Sequence, residues 1–184
     1  MGKILVLGIG TLLVFGVSGL LIIENLHEIS FLSLVKKGYE VPLQLIIGLA
    51  YGSISALFAL LIINRKFFKK EKQFYYEKIS SLDLNHTGII FISLCAGIGE
   101  EIFFRAALQP YLGIWLTSVL FVAIHGYLNP FNWRISIYGF FMTFVIAGFG
   151  YLMDLSGLIT VITAHTVFDI ILLKKFTQLQ PEDF

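Results

Sequence analysis

The stretch from Gly88 to Leu112 reads GIIFISLCAGIGEEIFFRAALQPYL, apolar enough to lie within a lipid bilayer, yet it contains Glu100, Glu101 and Arg105. On insertion scales a lone charge at the centre of a spanning helix costs about 2.5 to 3.5 kcal/mol, so three ionisable groups this close together mark an intramembrane site by default. The rest of the chain agrees with a membrane setting. Of its 184 residues 57% are hydrophobic and only 14% charged, against about 25% charged in an ordinary soluble domain. The fold class that follows is all-α, a polytopic integral membrane protein.

A bilayer core of about 30 Å needs roughly 20 apolar residues of helix. Six spans are expected on that length: Ile4 to Ile23, Leu43 to Ile63, Gly88 to Leu112, Gly113 to Leu128, Ile135 to Met153 and Gly157 to Leu173. A tight turn at Asp154, Leu155 and Ser156 is expected before the last. The first run has no small-residue cleavage site and meets Glu24 directly, so it reads as a retained span. Basic residues are held on the cytoplasmic side. Arg65, Lys66, Lys69, Lys70, Lys72 and Lys78 therefore place the loop after span two inside, together with Lys3, Arg134, Lys174 and Lys175. Both termini are then expected in the cytoplasm.

Nothing divides the chain, so 1–184 reads as a single membrane domain with a basic interfacial loop at 64–86. In that loop Phe67, Phe68, Phe74, Tyr75 and Ile79 recur among the lysines, which fits a helix lying at the headgroup boundary as well as a plain solvated loop. The formal net charge of +1 gives no electrostatic case for a nucleic-acid partner. Membrane lipid is an expected partner. Cys95, alone in apolar surroundings, reads as a small buried hydrophobe.

Glu101 and Arg105 stand one helical turn apart and can pair, which leaves Glu100 without an obvious partner. Three more ionisable side chains interrupt later spans: His125, one turn after Phe121 in FVAIH, then His165 and Asp169, one turn apart in HTVFD. At about 1.5 Å of rise per residue, Glu100 and His125 lie some 15 to 18 Å below the outer hairpin, and His165 about 13 Å below its own. A carboxylate, two imidazoles and a second carboxylate are thus expected in one layer. Hydrolysis of a peptide bond by activated water suits that set, by either of two routes. His125 and His165 with Glu100 or Asp169 would hold Zn²⁺ and lower the pKa of bound water; or, without metal, Glu100 takes the proton of a water held by His125 while His165 donates to the oxyanion. No Ser or Cys stands beside a base as a nucleophile would.

E-E-I-F-F-R at Glu100 to Arg105, F-V-A-I-H at Phe121 to His125 and H-T-V-F-D at His165 to Asp169 resemble the E-E-x-x-x-R, F-x-x-x-H and H-x-x-x-N/D motifs of the CPBP family of intramembrane proteases. That family includes the Rce1-type CAAX prenyl endopeptidases and the bacteriocin-processing or self-immunity (Abi) proteins. The resemblance covers 88–173 and implies a membrane-embedded helical endopeptidase with its catalytic core there, acting on a membrane-associated peptide or protein and opening toward the cytoplasm of a bacterial or archaeal cell. Glu100 and His125 would activate water, His165 and Asp169 would stabilise the oxyanion, and Glu101 with Arg105 would hold the site together. The chain departs from many CAAX-type members in having Asp169 where they have Asn. Two further readings compete: a transporter or proton relay, since buried carboxylates and histidines also line ion paths, and a non-catalytic membrane scaffold or immunity protein.

Overall fold

Apolar side chains cover the helices of this protein on the outside as well as the inside. Val6, Val14, Ile46, Ile54 and Leu61 all face outward, as expected where the surrounding solvent is lipid. The computed structural model describes residues 2–27 and 30–180; the chain termini, whose side of the membrane the sequence predicts, lie largely outside that range. All regular structure among the described residues is helical. It comprises α1 (Gly2–Thr11), α2 (Ser18–Leu26), α3 (Phe31–Lys36), α4 (Val41–Ile63), α5 (Lys69–Ser80), α6 (His86–Glu101), α7 (Gln109–Ile124), α8 (Trp133–Ser156) and α9 (Leu158–Thr177). Two π-helical segments, Leu12–Val17 and Ile102–Leu108, join α1 to α2 and α6 to α7.

Four helical runs among the described residues are long and apolar enough to cross a membrane: Gly2–Leu26, Val41–Ile63, His86–Ile124 and Trp133–Ser156. The expected third and fourth spans fall in one run, which breaks at Gly113 where φ is 73° and ψ is 167°. Only glycine adopts that backbone readily. The expected sixth span corresponds to α9, which carries Asp169, Lys174 and Lys175 and so is less apolar than the others. Two boundaries differ from expectation. Asp154 to Ser156 stay helical and the turn falls on Gly157, at φ 113°. Span four does not reach Leu128 but stops at Ile124.

Helix α9 is the axis of the bundle. Gly48 and Gly52 on α4 lie against the α9 backbone at Thr160 and Ala164, too close for any side chain; this is the small-residue packing that helices use in lipid. Gly97 on α6 lies as close to Thr166 and Ile162. At the end of α9 nearest Lys37, the buried side chain of Gln44 accepts from Thr160 N at 3.2 Å and donates to Tyr39 O at 2.7 Å. A donor that the helix start would leave unpaired is thereby satisfied from a neighbouring helix. Helix α4 is fixed to α8 by Tyr51 Oη donating to Val145 O at 2.8 Å. Helix α7 is held to α8 by Gln109 donating to Gly150 O and to Asp154 Oδ1.

The basic segment after α4 is a helix, preceded by one 3₁₀ turn at Lys66–Phe68. It lies at the same end of the bundle as Arg134, whose guanidinium stacks over Phe67 at 5.0 Å. Phe68 is buried, and Tyr75, Tyr76 and Ile79 pack against the core. Phe131, almost fully exposed, and Trp133 project at that same end, where aromatic side chains suit a membrane–water interface. Burial of Tyr75, with Glu71 one turn before it, pushes its phenol up to about 12.

Candidate active site

Helix α6 changes hydrogen-bonding pattern immediately after Glu101. The π-helical segment Ile102–Leu108 follows, and at its end Gln109 N donates to Phe104 O, five residues back. Such π turns are rare and often occur at functional sites. Phe103 and Phe104 pack on Phe15, which belongs to the other π segment, with ring centroids 5.4 and 5.8 Å away. Glu101 and Arg105, both about 1% exposed, make the expected pair, Nε to Oε2 at 3.2 Å. The pairing uses only one corner of the guanidinium. Its Nη1 and Nη2 are buried with no hydrogen-bond partner among the described residues, and its carbon lies 5.5 Å from the centre of the Phe121 ring.

Glu101 has a second partner that the sequence does not announce. Its Oε1 accepts a hydrogen bond from His165 Nδ1 at 2.7 Å. One carboxylate therefore ties Arg105 on its own helix to His165 on α9. Asp169 Oδ2 lies 3.7 Å from the other ring nitrogen, Nε2, beyond hydrogen-bond range.

His125 sits at the end of its helix rather than within it. Gly126 N donates to Ala123 O and Tyr127 N to Val122 O, the paired bonds that close a helix on a left-handed glycine; Gly126 has φ 77°. The glycine after His125 is the sequence signal for this ending. The imidazole is held in three ways. Nδ1 donates to Phe121 O at 2.7 Å; the ring stacks on Phe121 at 4.4 Å and 21°; and it lies parallel to Tyr127 at 6.2 Å. Tyr127 is a contact that sequence reasoning misses, because it lies beyond the helical register.

These elements bring Glu100, His125 and His165 together, as the depth estimate predicts. Glu100 Oε2 is 3.4 Å from His125 Nε2 and 4.0 Å from His165 Nε2, and it has no hydrogen-bond partner among the described residues. Both imidazoles spend their Nδ1 hydrogens on fixed acceptors, so in the neutral state both Nε2 atoms present lone pairs. Three acceptors then converge, an arrangement that can hold a water and take its protons. Among the described residues no group of three or more His, Cys, Asp or Glu side chains is assembled as a metal-holding set.

The cluster opens into a cavity of about 330 Å³. Its wall is apolar apart from Glu100, His125, His165, Asp169, Thr11 and three tyrosines. Leu7 and Ile92 border it between α1 and α6, and Tyr75, Leu173 and Phe176 border it at the end that bears the basic helix.

Residues 84–171 match the family model described as type II CAAX prenyl endopeptidase, Rce1-like. The chain is 34% identical over 83 residues to the uncharacterized protein YpbD of Bacillus subtilis (strain 168), an alignment covering 44% of this chain and 41% of that relative. The aligned part is thus about two fifths of the relative's length. No solved structure matches. The resemblance read from three motifs is therefore shown for the segment that carries them, α6 to the middle of α9.

Proposed function

We propose that this chain, with its Rce1-like CAAX prenyl endopeptidase segment at residues 84–171, is an intramembrane endopeptidase that cleaves a membrane-associated peptide or protein with water. The observation that carries the reading is the approach of two imidazole Nε2 atoms to one unbonded oxygen of a buried glutamate. Glu100 Oε2 is the base. A water between it and His125 Nε2 loses a proton to Glu100 and attacks the carbonyl carbon of the scissile bond. The oxyanion forms beside His165, which donates from Nε2 when it carries a second proton.

The imidazolium of His165 would be held by Glu101 on one side and faced by Asp169 on the other. That charge balance accounts for an aspartate so close to a developing negative charge: Asp169 offsets the imidazolium and need not touch the oxyanion. Collapse of the tetrahedral intermediate breaks the C–N bond, and the leaving amine takes the proton from Glu100. Glu101 and Arg105 position His165, while Phe121 and Tyr127 position His125.

The cavity border between α1 and α6 would admit a substrate from the lipid, and the end bearing the basic helix would face the cytoplasm, where the excess of Lys and Arg belongs. The test uses purified protein in lipid vesicles and a library of quenched apolar peptides. Native protein cleaves some members and Glu100→Gln cleaves none. Cleavage by that variant at the native rate sinks the reading. Dialysis against a chelator leaves the rate unchanged on this route, and loss of activity restored by one metal would move the water onto that metal.

A further inference from the structure

The reaction leaves one buried carboxylate unused. Glu71, on the basic helix α5, is only 5% exposed, and its Oε2 has no hydrogen-bond partner among the described residues. It lines a second cavity of about 540 Å³ together with Lys70, Lys78, His125, Asn129 and Asn132. Among the described residues neither lysine makes an ion pair with it. Both are exposed, and Lys78 rests on the ring of Phe74 at 5.0 Å. A buried carboxylate without a cation is costly, so an occupant that brings one is favoured.

The remaining polar groups describe the same occupant. Asn129 Oδ1 accepts from Phe131 N at 2.9 Å and Asn132 Oδ1 from Ile135 N at 3.3 Å. Each amide oxygen thus faces the protein's own turns, which leaves the NH₂ groups of the two side chains as donors for an occupant, suited to peptide carbonyls. The second cavity also shares His125 and Tyr75 with the cavity that holds Glu100. One molecule can lie in both, with its apolar part among the spans and its polar part under α5.

We propose that the second cavity is a subsite for the substrate chain on one side of the cleaved bond, and that Glu71 selects a lysine or arginine side chain there. This rests on the endopeptidase reading. An extended chain advances about 3.3 to 3.6 Å per residue, and both cavities border His125, so a chain passing that side chain would carry the selected residue within a few positions of the bond.

The test uses quenched peptides with an apolar half and a variable half, carrying Lys, Gln or Glu in turn at each of the four positions nearest the cleaved bond. Native protein in phosphatidylcholine vesicles cleaves the Lys peptide about tenfold faster than the Gln peptide at one position, the size expected of one charge-assisted contact. In Glu71→Lys the order reverses and the Glu peptide becomes the best substrate, a gain that a misfolded variant cannot show. The same peptide order in native and variant protein overturns the proposal, as does a Lys preference below twofold at every position. A rate that follows the phosphatidylethanolamine content of the vesicles and ignores the peptide also overturns it, in favour of a lipid ammonium as the cation. Cleavage that needs Glu100 but shows no Lys preference would remove this proposal alone; no cleavage of any peptide would remove the endopeptidase reading and this proposal with it.

Discussion

Two polar clusters lie along α9, and they differ in how completely they are closed. Near its start, Gln44, Ser156 and Thr160 are neutral and satisfy one another: Thr160 N donates to Gln44, Gln44 to Tyr39 O, and Ser156 Oγ to Leu152 O and Thr160 Oγ1. In its middle, His165 joins two glutamates, an arginine and a second histidine, and Glu100 Oε2 and both Nη atoms of Arg105 are left without partners among the described residues. A closed cluster fixes helices and does nothing else, since every group has spent its bonding capacity. An open, charged cluster costs stability and retains the capacity to bind and move protons.

Four substitutions sharpen that contrast. Glu100→Gln should lower turnover by about a thousandfold or more, within the range for loss of a general base, while the unfolding transition stays unchanged or rises, because Glu100 makes no hydrogen bond that the fold needs. Glu101→Gln should cost activity and stability together: His165 loses its orienting acceptor and Arg105 is left unpaired, a loss of about 3 to 5 kcal/mol read from thermal unfolding in detergent. Gln44→Leu should show the reverse of Glu100→Gln, losing about 1 to 3 kcal/mol through the unsatisfied Thr160 N–H and keeping its turnover well below the transition. Phe121→Leu should have the smallest effect, about threefold to tenfold on turnover, from loss of an aromatic stack of about 0.5 to 1.5 kcal/mol on His125. If Gln44→Leu were the inactive variant and Glu100→Gln the active one, the two clusters would have to exchange roles.

The same contrast separates what could be read from the chain alone. The pairing of Glu101 with Arg105 and the common depth of Glu100, His125 and His165 follow from helical spacing and rise, which are local quantities. The hydrogen bond from His165 to Glu101 joins residues 64 positions apart and depends on Gly97 letting α6 and α9 touch. No spacing rule contains that. Apolar residues continue past His125 to Leu128 and suggest an unbroken helix there, although Gly126 gives the local signal for the ending. The burial of Glu71 was hidden for a related reason: a basic, aromatic helix reads as a surface element, and only its packing beneath the bundle shows which of its charged groups is enclosed.

The π segment after Glu101 has a consequence for the engineering of the site. A hydrogen bond spanning five residues in place of four accommodates one residue more than the α-helical turn it interrupts. Removing one residue from Ile102 to Phe104 would restore a regular helix and leave the arginine three residues after Glu101, still on the same face. A variant shortened by one position here would keep the ion pair within reach and change only the width of the turn that follows Glu100 and Glu101. The length of chain between Glu101 and Arg105 is therefore a handle on the shape of the site that is separate from the identity of its polar side chains.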